Sequence, residues 1–413
     1  MPWRANSPDL RTSVEVTARG KRACVTVASR SDGCFDGVSV HAIAFSRQGA
    51  HIAYPVLIGA RWAVVRDGVA GVAWDAVGAP VLSADGTRLA YPAARGSLWH
   101  VVADEVAGPP FDAILDRSYF FDPTGRRLGY VARRSDSVHV VVDDRTSRGW
   151  NAVARLAFSD NGEHVAYVAG ADGRTMLVVD DRPQPSHPTV GDFAFARRGE
   201  KWAYAMRDSS GWYVVERSTR YGPFTDVRAL AYGPSNDALT FVASQAALET
   251  VFIAGTPSAG WHETVDTPVF AVSGNRMGYV AHGADQSEVF LDGELLAREE
   301  HASDLAIGVG ARYAYVASAG DRQSVVDERG RHELDMVIDG TLQFIADGSR
   351  WVCLAGDRAR RELFVVLDGT VTNRRLDWSE MVRLVQRPGA LDALRTWVAA
   401  AGTLALEEAG AVR

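Results

Sequence analysis

The chain is poor in lysine, in cysteine and in long apolar runs, and each shortage closes off a class of function. Lys21 and Lys201 are the only lysines among 44 basic residues, and the net charge is −7. A nucleic-acid partner would demand a basic face, so that class is excluded. The three cysteines, Cys24, Cys34 and Cys353, include no C-x-x-C pair. So small and odd a set predicts neither a disulfide framework nor a zinc site, although Cys34 could react as a free thiol. No stretch of 18 apolar residues is present, so no membrane-spanning helix is predicted. Met1 to Arg22 is polar and charged, without the apolar run of a leader. The expected setting is therefore a soluble protein of a reducing compartment, the cytoplasm.

Catalytic motifs are equally scarce. There is no G-x-S-x-G elbow and no phosphate-binding G-x-x-x-x-G-K-[ST] loop. His262-Glu263 and His332-Glu333 start like a zinc-protease helix but lack the second histidine. Asp143-Asp144 and Asp180-Asp181 lack the further oxygen ligands of a calcium loop and read as hairpin turns. His51, His139 and His164 are scattered singly and read as strand or surface residues. Cys353 reads as a core thiol. No catalytic residue, metal ligand or cofactor site is therefore predicted.

What is present is a repeat. An aromatic or apolar residue, a small or polar residue, two variable positions, Gly, two more variable positions and an apolar–Ala–Tyr ending recur along the chain. The clearest copies run from Phe45 to Tyr54, Leu82 to Tyr91, Phe121 to Tyr130, Phe158 to Tyr167 and Phe195 to Tyr204. Weaker copies end at Phe241, Tyr279, Tyr315 and Cys353, giving nine copies spaced 36 to 39 residues apart. Each holds a short apolar strand such as His41 to Phe45 or Val153 to Phe158. A turn such as Asp85-Gly86 or Asn161-Gly162 follows, then the Ala-Tyr strand and a Val-rich third strand such as Val138 to Val142. A second turn, at Asp67-Gly68, Asp292-Gly293 or Asp368-Gly369, leads to a weak fourth strand. Four short strands per unit without helical periodicity predict an all-β fold, a single β-propeller of about nine, or ten, four-stranded antiparallel blades.

The Phe-Ser…Gly…Ala-Tyr phrase resembles that of the WD-repeat-like propellers of the TolB type. The likeness covers roughly residues 12 to 376, although the Pro-Asp of the usual phrase varies here, as in Arg47-Gln48. It implies protein–protein scaffolding, or an accessory propeller beside a peptidase domain for which this chain has no room. Strand-like pieces at Ser13 to Thr17, Ala23 to Ala28 and Cys34 to Val40 are expected to close the ring with strands from the far end. That makes residues 1–376 the propeller and 377–413 a helical tail packed on it. In the tail, Asp377-Trp-Ser-Glu380 reads as a capping box, and Met381, Leu384 and Val385, then Leu391, Leu394, Trp397, Val398 and Ala401, fall at helical spacing. Val382 to Gln386 reads alternatively as a strand of a tenth blade.

Candidate recognition residues follow from propeller geometry, in which ligands bind over the central channel. The position three before each first-strand apolar residue is Ala42, Ala79, Ser118, Arg155, Asp192, Ala229, Thr267, Ser303 and Thr341. Arg155 and Asp192 are the charged pair in this series and could recognise a partner's charged group. Trp397 is the candidate on the tail. Trp74, Trp99, Trp150, Trp212 and Trp261 are expected mostly between blades. The expected function is a non-catalytic scaffold that binds another protein through a propeller face or the C-terminal helices. The alternatives are a channel-centred hydrolase or lyase and an accessory subunit of a separate enzyme. Three or more acids or histidines clustered at the channel mouth would put the enzyme ahead of the scaffold.

Overall fold

Each repeat is folded by its two turns. At the second turn Asp67, Asp143, Asp180, Asp292 and Asp368 all take positive φ, and Gly follows at 68, 293 and 369. These dipeptides suit the tight hairpin turns that match the natural strand twist. The same aspartates then reach back across the sheet. The Oδ1 of Asp143 accepts the Leu128 N–H at 3.0 Å and its Oδ2 pairs with Arg127. Asp67 does this with Ile52 and His51, Asp104 with Leu89 and Arg88, Asp180 with Val165 and His164, and Asp292 with Met277 and Arg276. His51, His164 and the Asp-rich turns are thus parts of a repeated clasp. Arg127 continues onward to the carbonyls of Gly162 and Glu163, both at 3.0 Å, tying one sheet to the next. Asp143→Ala removes two acceptors, one of them for a backbone N–H, and is expected to cost about 1–2 kcal/mol in denaturant unfolding. The neighbouring Asp144→Ala is expected to change stability by less than about 0.5 kcal/mol.

The first turn is held by the residue after the aromatic. Ser46, Ser83 and Ser159 are buried, and each Oγ accepts the N–H five residues on. Asp122 fills the same role toward the Arg127 N–H. Glycine is required at this turn: Gly162 has φ +72, and a Cβ there would lie 2.0 Å from Asp122 Oδ2.

The computed structural model describes residues 2–197, 199–234, 237–271, 276–345, 348–378, 381 and 390–411. Among them the strands form ten antiparallel sheets of four or five strands, each ordered along the chain. Sheet 1 spans residues 3–35, sheet 2 37–70, sheet 3 76–107, sheet 4 113–146 and sheet 5 152–183. Sheet 6 spans 189–224, sheet 7 226–257, sheet 8 264–299, sheet 9 301–334 and sheet 10 336–376. The chain divides into two compact units, Met1–Gly191 and Asp192–Arg413.

In the first unit, sheet 1 is built wholly from the first 35 residues, with a first strand at Trp3–Asn6. Sequence reading missed this strand because its turn lacks the glycine. Ser7-Pro8-Asp9 is nonetheless a copy of the repeat phrase. Ser7 Oγ accepts the Thr12 N–H at 2.9 Å, as Ser83 Oγ accepts Arg88, and Leu10 takes φ +60. Sheet 1 also corrects the cysteine expectation. Cys24 and Cys34 stand directly opposite each other in the register of the last two strands and form a disulfide. A framework argument counts cysteines, whereas a cross-strand bridge needs only one pair placed in register. In denaturant without reductant one thiol per chain, that of Cys353, is expected to react with Ellman's reagent, and all three after reduction. Three reactive thiols before reduction would contradict the bridge.

Core packing lies between sheets. The signature tyrosines Tyr54, Tyr91, Tyr130 and Tyr167 of the first unit, and Tyr279 and Tyr315 of the second, are fully buried. Buried phenols need a partner. Tyr54 donates to Asp32, Tyr167 to Asp181 and Tyr315 to Glu299. Trp74 and Trp150 are buried in this layer, whereas Trp261 is exposed.

In the second unit the helix α1 (Ala390–Ala411) lies on sheet 10. Leu394, Val398 and Ala401 are its buried residues, and Gly402 permits the close approach, since a Cβ there would meet Val352 at 2.9 Å. Gln343 Nε2 donates to the Arg395 carbonyl, and Arg374 pairs with Glu408. The helix expected at Met381, Leu384 and Val385, and the alternative strand at Val382 to Gln386, lie outside the described residues apart from Met381. No described helix is long and apolar enough to cross a membrane.

Candidate functional site

The first strand of a sheet takes one of two forms. In sheets 2, 3, 4, 8 and 10 it breaks into two short pairings with an unpaired segment between them. In sheet 4 that segment is stapled by Ser118, whose hydroxyl donates to Leu115 O and accepts the Val131 N–H. Thr341 does the same in sheet 10 with Ile338 O and Leu354 N–H. Two of the nine channel positions predicted from sequence are therefore structural staples.

In sheets 5, 7 and 9 the first strand is continuous but bulged, and its fourth residue takes positive φ: Arg155, Ala229 and Asp304. The bulge turns this residue out of the ladder. Asp192 is the fourth residue of the corresponding strand, Thr189–Phe195. Arg155 is exposed and lies in the first unit; Asp192 is half-buried and lies in the second. Sequence counting placed Ser303 in this series, one residue too early. Phe158 pairs with Val165 and Tyr232 with Leu239, but Ile307 pairs with Tyr313, so the turn of sheet 9 is one residue shorter. Counting back from Tyr315 therefore misses Asp304.

That correction exposes the candidate site. A cavity of about 450 Å³ in the second unit is lined by Asp266 of sheet 8, His301 and Asp304 of sheet 9, Asp339 of sheet 10 and Arg395 of α1, with Tyr279 in its wall. The volume is that of a small-ligand pocket. Asp266 and Asp339 come from the broken first strands of their sheets, and Asp304 from the bulge between them in sequence. Three successive repeats thus each contribute one carboxylate from the same segment, against one guanidinium.

The carboxylates are not equivalent. Asp304 is half-buried and accepts the Gly340 N–H. Burial pushes its carboxyl above the usual range. The Gly340 N–H opposes that shift, the nearby Asp339 charge adds to it, and Arg395 offsets part of it. Asp339 is exposed. Asp266 Oδ1 lies 3.1 Å from His282 Nε2, whose Nδ1 lies 3.0 Å from Ser287 Oγ. The His282 ring also stacks on His301, with centroids 5.7 Å apart. The Ser–His–Asp order invites comparison with a hydrolytic triad. Ser287 is only 2 % exposed, however, so its hydroxyl is not presented to a substrate, and the relay orients Asp266 rather than arming a nucleophile.

Elsewhere, Trp397 is half-buried on α1. Cys353 is fully buried, and burial pushes its thiol far up. Among the described residues no group of three or more His, Cys, Asp or Glu is arranged to hold a metal ion.

No family model matches the chain, and no curated protein matches it in sequence. Similar solved structures include a eukaryotic initiation factor, 10 % identical, covering 79 % of this chain and 96 % of that one with a TM-score of 0.46. The dihydro-heme d1 dehydrogenase NirN is 15 % identical, covering 68 % of this chain and 71 % of that one with a TM-score of 0.36. TolB from Acinetobacter baumannii is 13 % identical, covering 52 % of this chain and 60 % of that one with a TM-score of 0.25. The repeated antiparallel sheets of four or five strands make this an all-β chain, and its Phe-Ser…Gly…Ala-Tyr phrase resembles that of the TolB-type, WD-like propellers.

Proposed function

We propose that the chain is a binding protein whose second unit takes a positively charged group of a partner protein into the cavity between Asp266, Asp304 and Asp339. The observation that carries this reading is that, among the described residues, three carboxylates from three successive sheets and one guanidinium line one pocket. Such a pocket selects by charge, and its attraction weakens as salt screens it. The fold alone argues for no activity, so the site must. The Cys24–Cys34 bridge favours an oxidising compartment over the cytoplasmic one expected from composition.

Acid–base catalysis on a bound ligand is the second reading. It is favoured by Asp304, whose carboxyl is pushed up by burial and lines the cavity with His301 and two further acids. Binding ranks first because the hydroxyl of the Ser287–His282–Asp266 relay is buried and so is not presented to a ligand.

Calorimetric titration with an alanine pentapeptide amide carrying one central arginine, against its citrulline counterpart, tests the binding reading. The arginine peptide is expected to bind and the citrulline peptide to bind at least about tenfold more weakly, since a charge-assisted contact is worth roughly 1.5–3 kcal/mol. Equal affinities would remove charge as the basis of recognition.

A further inference from the structure

The cavity already has a cation of its own chain at its wall. Arg395 lies on α1, six residues into the helix, and its charge partly offsets the raised pKa of Asp304. The helix is held independently of that charge. Leu394 flanks Arg395 and is 1 % exposed, Val398 is 0 % exposed, and Gln343 fixes the Arg395 carbonyl at 2.7 Å. Leu391, at the start of the helix, sits over Gly340, where a Cβ would fall 2.7 Å from its side chain. Gly340 is also the residue whose N–H holds Asp304. One helical turn therefore contacts the loop that positions Asp304 and supplies the guanidinium that faces it.

We propose that α1 is an autoinhibitory element, with Arg395 the internal competitor for the cationic group that the cavity takes. The proposal rests on the binding reading above and adds its regulation. A partner's guanidinium or ammonium must displace the Arg395 side chain, and anything that draws the helix off sheet 10 raises the cavity's affinity. The bond from Gln343 to the Arg395 carbonyl and the buried Leu394 side chain let the guanidinium swing aside without the helix leaving.

The test uses the full chain and the arginine and citrulline pentapeptides. Arg395→Gln should bind the arginine peptide about fivefold tighter than the parent, the effect of removing one exposed competing charge from the cavity wall. Arg395→Lys keeps the charge and should bind like the parent. Both variants should unfold at the parent's midpoint, because the helix stays anchored by apolar contacts. Unchanged affinity in Arg395→Gln, with the arginine peptide still preferred over citrulline, would overturn the autoinhibition and leave the binding reading standing. Equal tightening by Arg395→Gln and Arg395→Lys would also overturn it, since charge would then not be what competes. If the arginine peptide binds neither parent nor variant, both the competition and the binding reading fall together.

Discussion

Trp351→Ala is expected to cost about 3–5 kcal/mol, the largest stability loss of any single change considered. Trp351 is 0 % exposed and is the largest side chain in the core of the second unit. Its truncation leaves a void that the flanking strands cannot close, because Val352, Leu354 and Cys353 beside it are also fully buried. A second cost is polar. The Trp351 Nε1 donates at 2.8 Å to Asp327 Oδ2, so a residue of sheet 9 is bonded to one of sheet 10. Burial opposes ionisation of Asp327, yet the indole, the Arg329 N–H and His332 together hold its carboxyl below the usual range. His332 lies 3.2 Å from the same carboxylate and packs edge-on against the Trp351 ring. Removing the indole leaves a buried carboxylate short of a donor. Because the folded-state pKa of Asp327 is depressed, its contribution to stability is present above the unfolded pKa and is lost as pH falls through the folded one. Trp351→Ala should therefore narrow its gap from the parent in acid. Trp351→Phe keeps most of the packing and loses only the donor, so about 1–3 kcal/mol is expected. Urea unfolding at neutral and acid pH measures all of this. A loss under about 1 kcal/mol for the alanine variant would mean that sheets 9 and 10 are not joined as described.

Asp304→Asn carries the largest functional effect and a stability change of opposite sign. Asn tolerates positive φ and can still accept the Gly340 N–H, so the bulge should persist. The charge is lost, and arginine-peptide affinity is expected to fall at least about tenfold. The folded-state pKa of Asp304 is raised, so the unfolded chain gives up this proton more readily than the folded one. The stability linked to the group is therefore greatest at low pH and is lost as pH rises through the unfolded and then the folded value. At neutral pH the neutral Asn escapes that cost, and the variant should be as stable as the parent or more so. A weakly binding but stable protein is what a functional carboxylate produces, whereas a structural one would lose stability with its charge. In the parent, cation affinity should rise with pH across a range lying above that of an ordinary aspartate.

The repeat was legible because it is written in local chemistry. Glycine and aspartate at the turns, the residue after the aromatic, and the Ala-Tyr ending each act within one hairpin, so their spacing alone reveals the blade. The first strand of sheet 1 was not legible, since Leu10 stands where glycine would mark the turn and the Ser7 cap replaces its signal. The disulfide was hidden for a different reason: register, not cysteine count, brings Cys24 to Cys34. The site was missed by one residue. A fixed offset from the signature tyrosine assumes a constant turn length, and the shorter turn of sheet 9 moves Asp304 into the place assigned to Ser303. Asp266 and Asp339 lie in the broken first strands, where no ladder fixes the offset. Such residues converge only through the stacking of successive sheets, which no single-repeat pattern encodes. Arg155 and Asp192 are each the fourth residue of their strands, and Asp304 is a further charged residue at that place.

The most direct test of the carboxylate pocket is a crystal structure of the full chain with the arginine pentapeptide, refined beside one grown without it. Difference density is expected for a planar guanidinium within hydrogen-bonding distance of Asp304, and of Asp266 or Asp339, with the Arg395 side chain displaced. A cavity that stays free of peptide while the peptide is ordered elsewhere on the chain would contradict it.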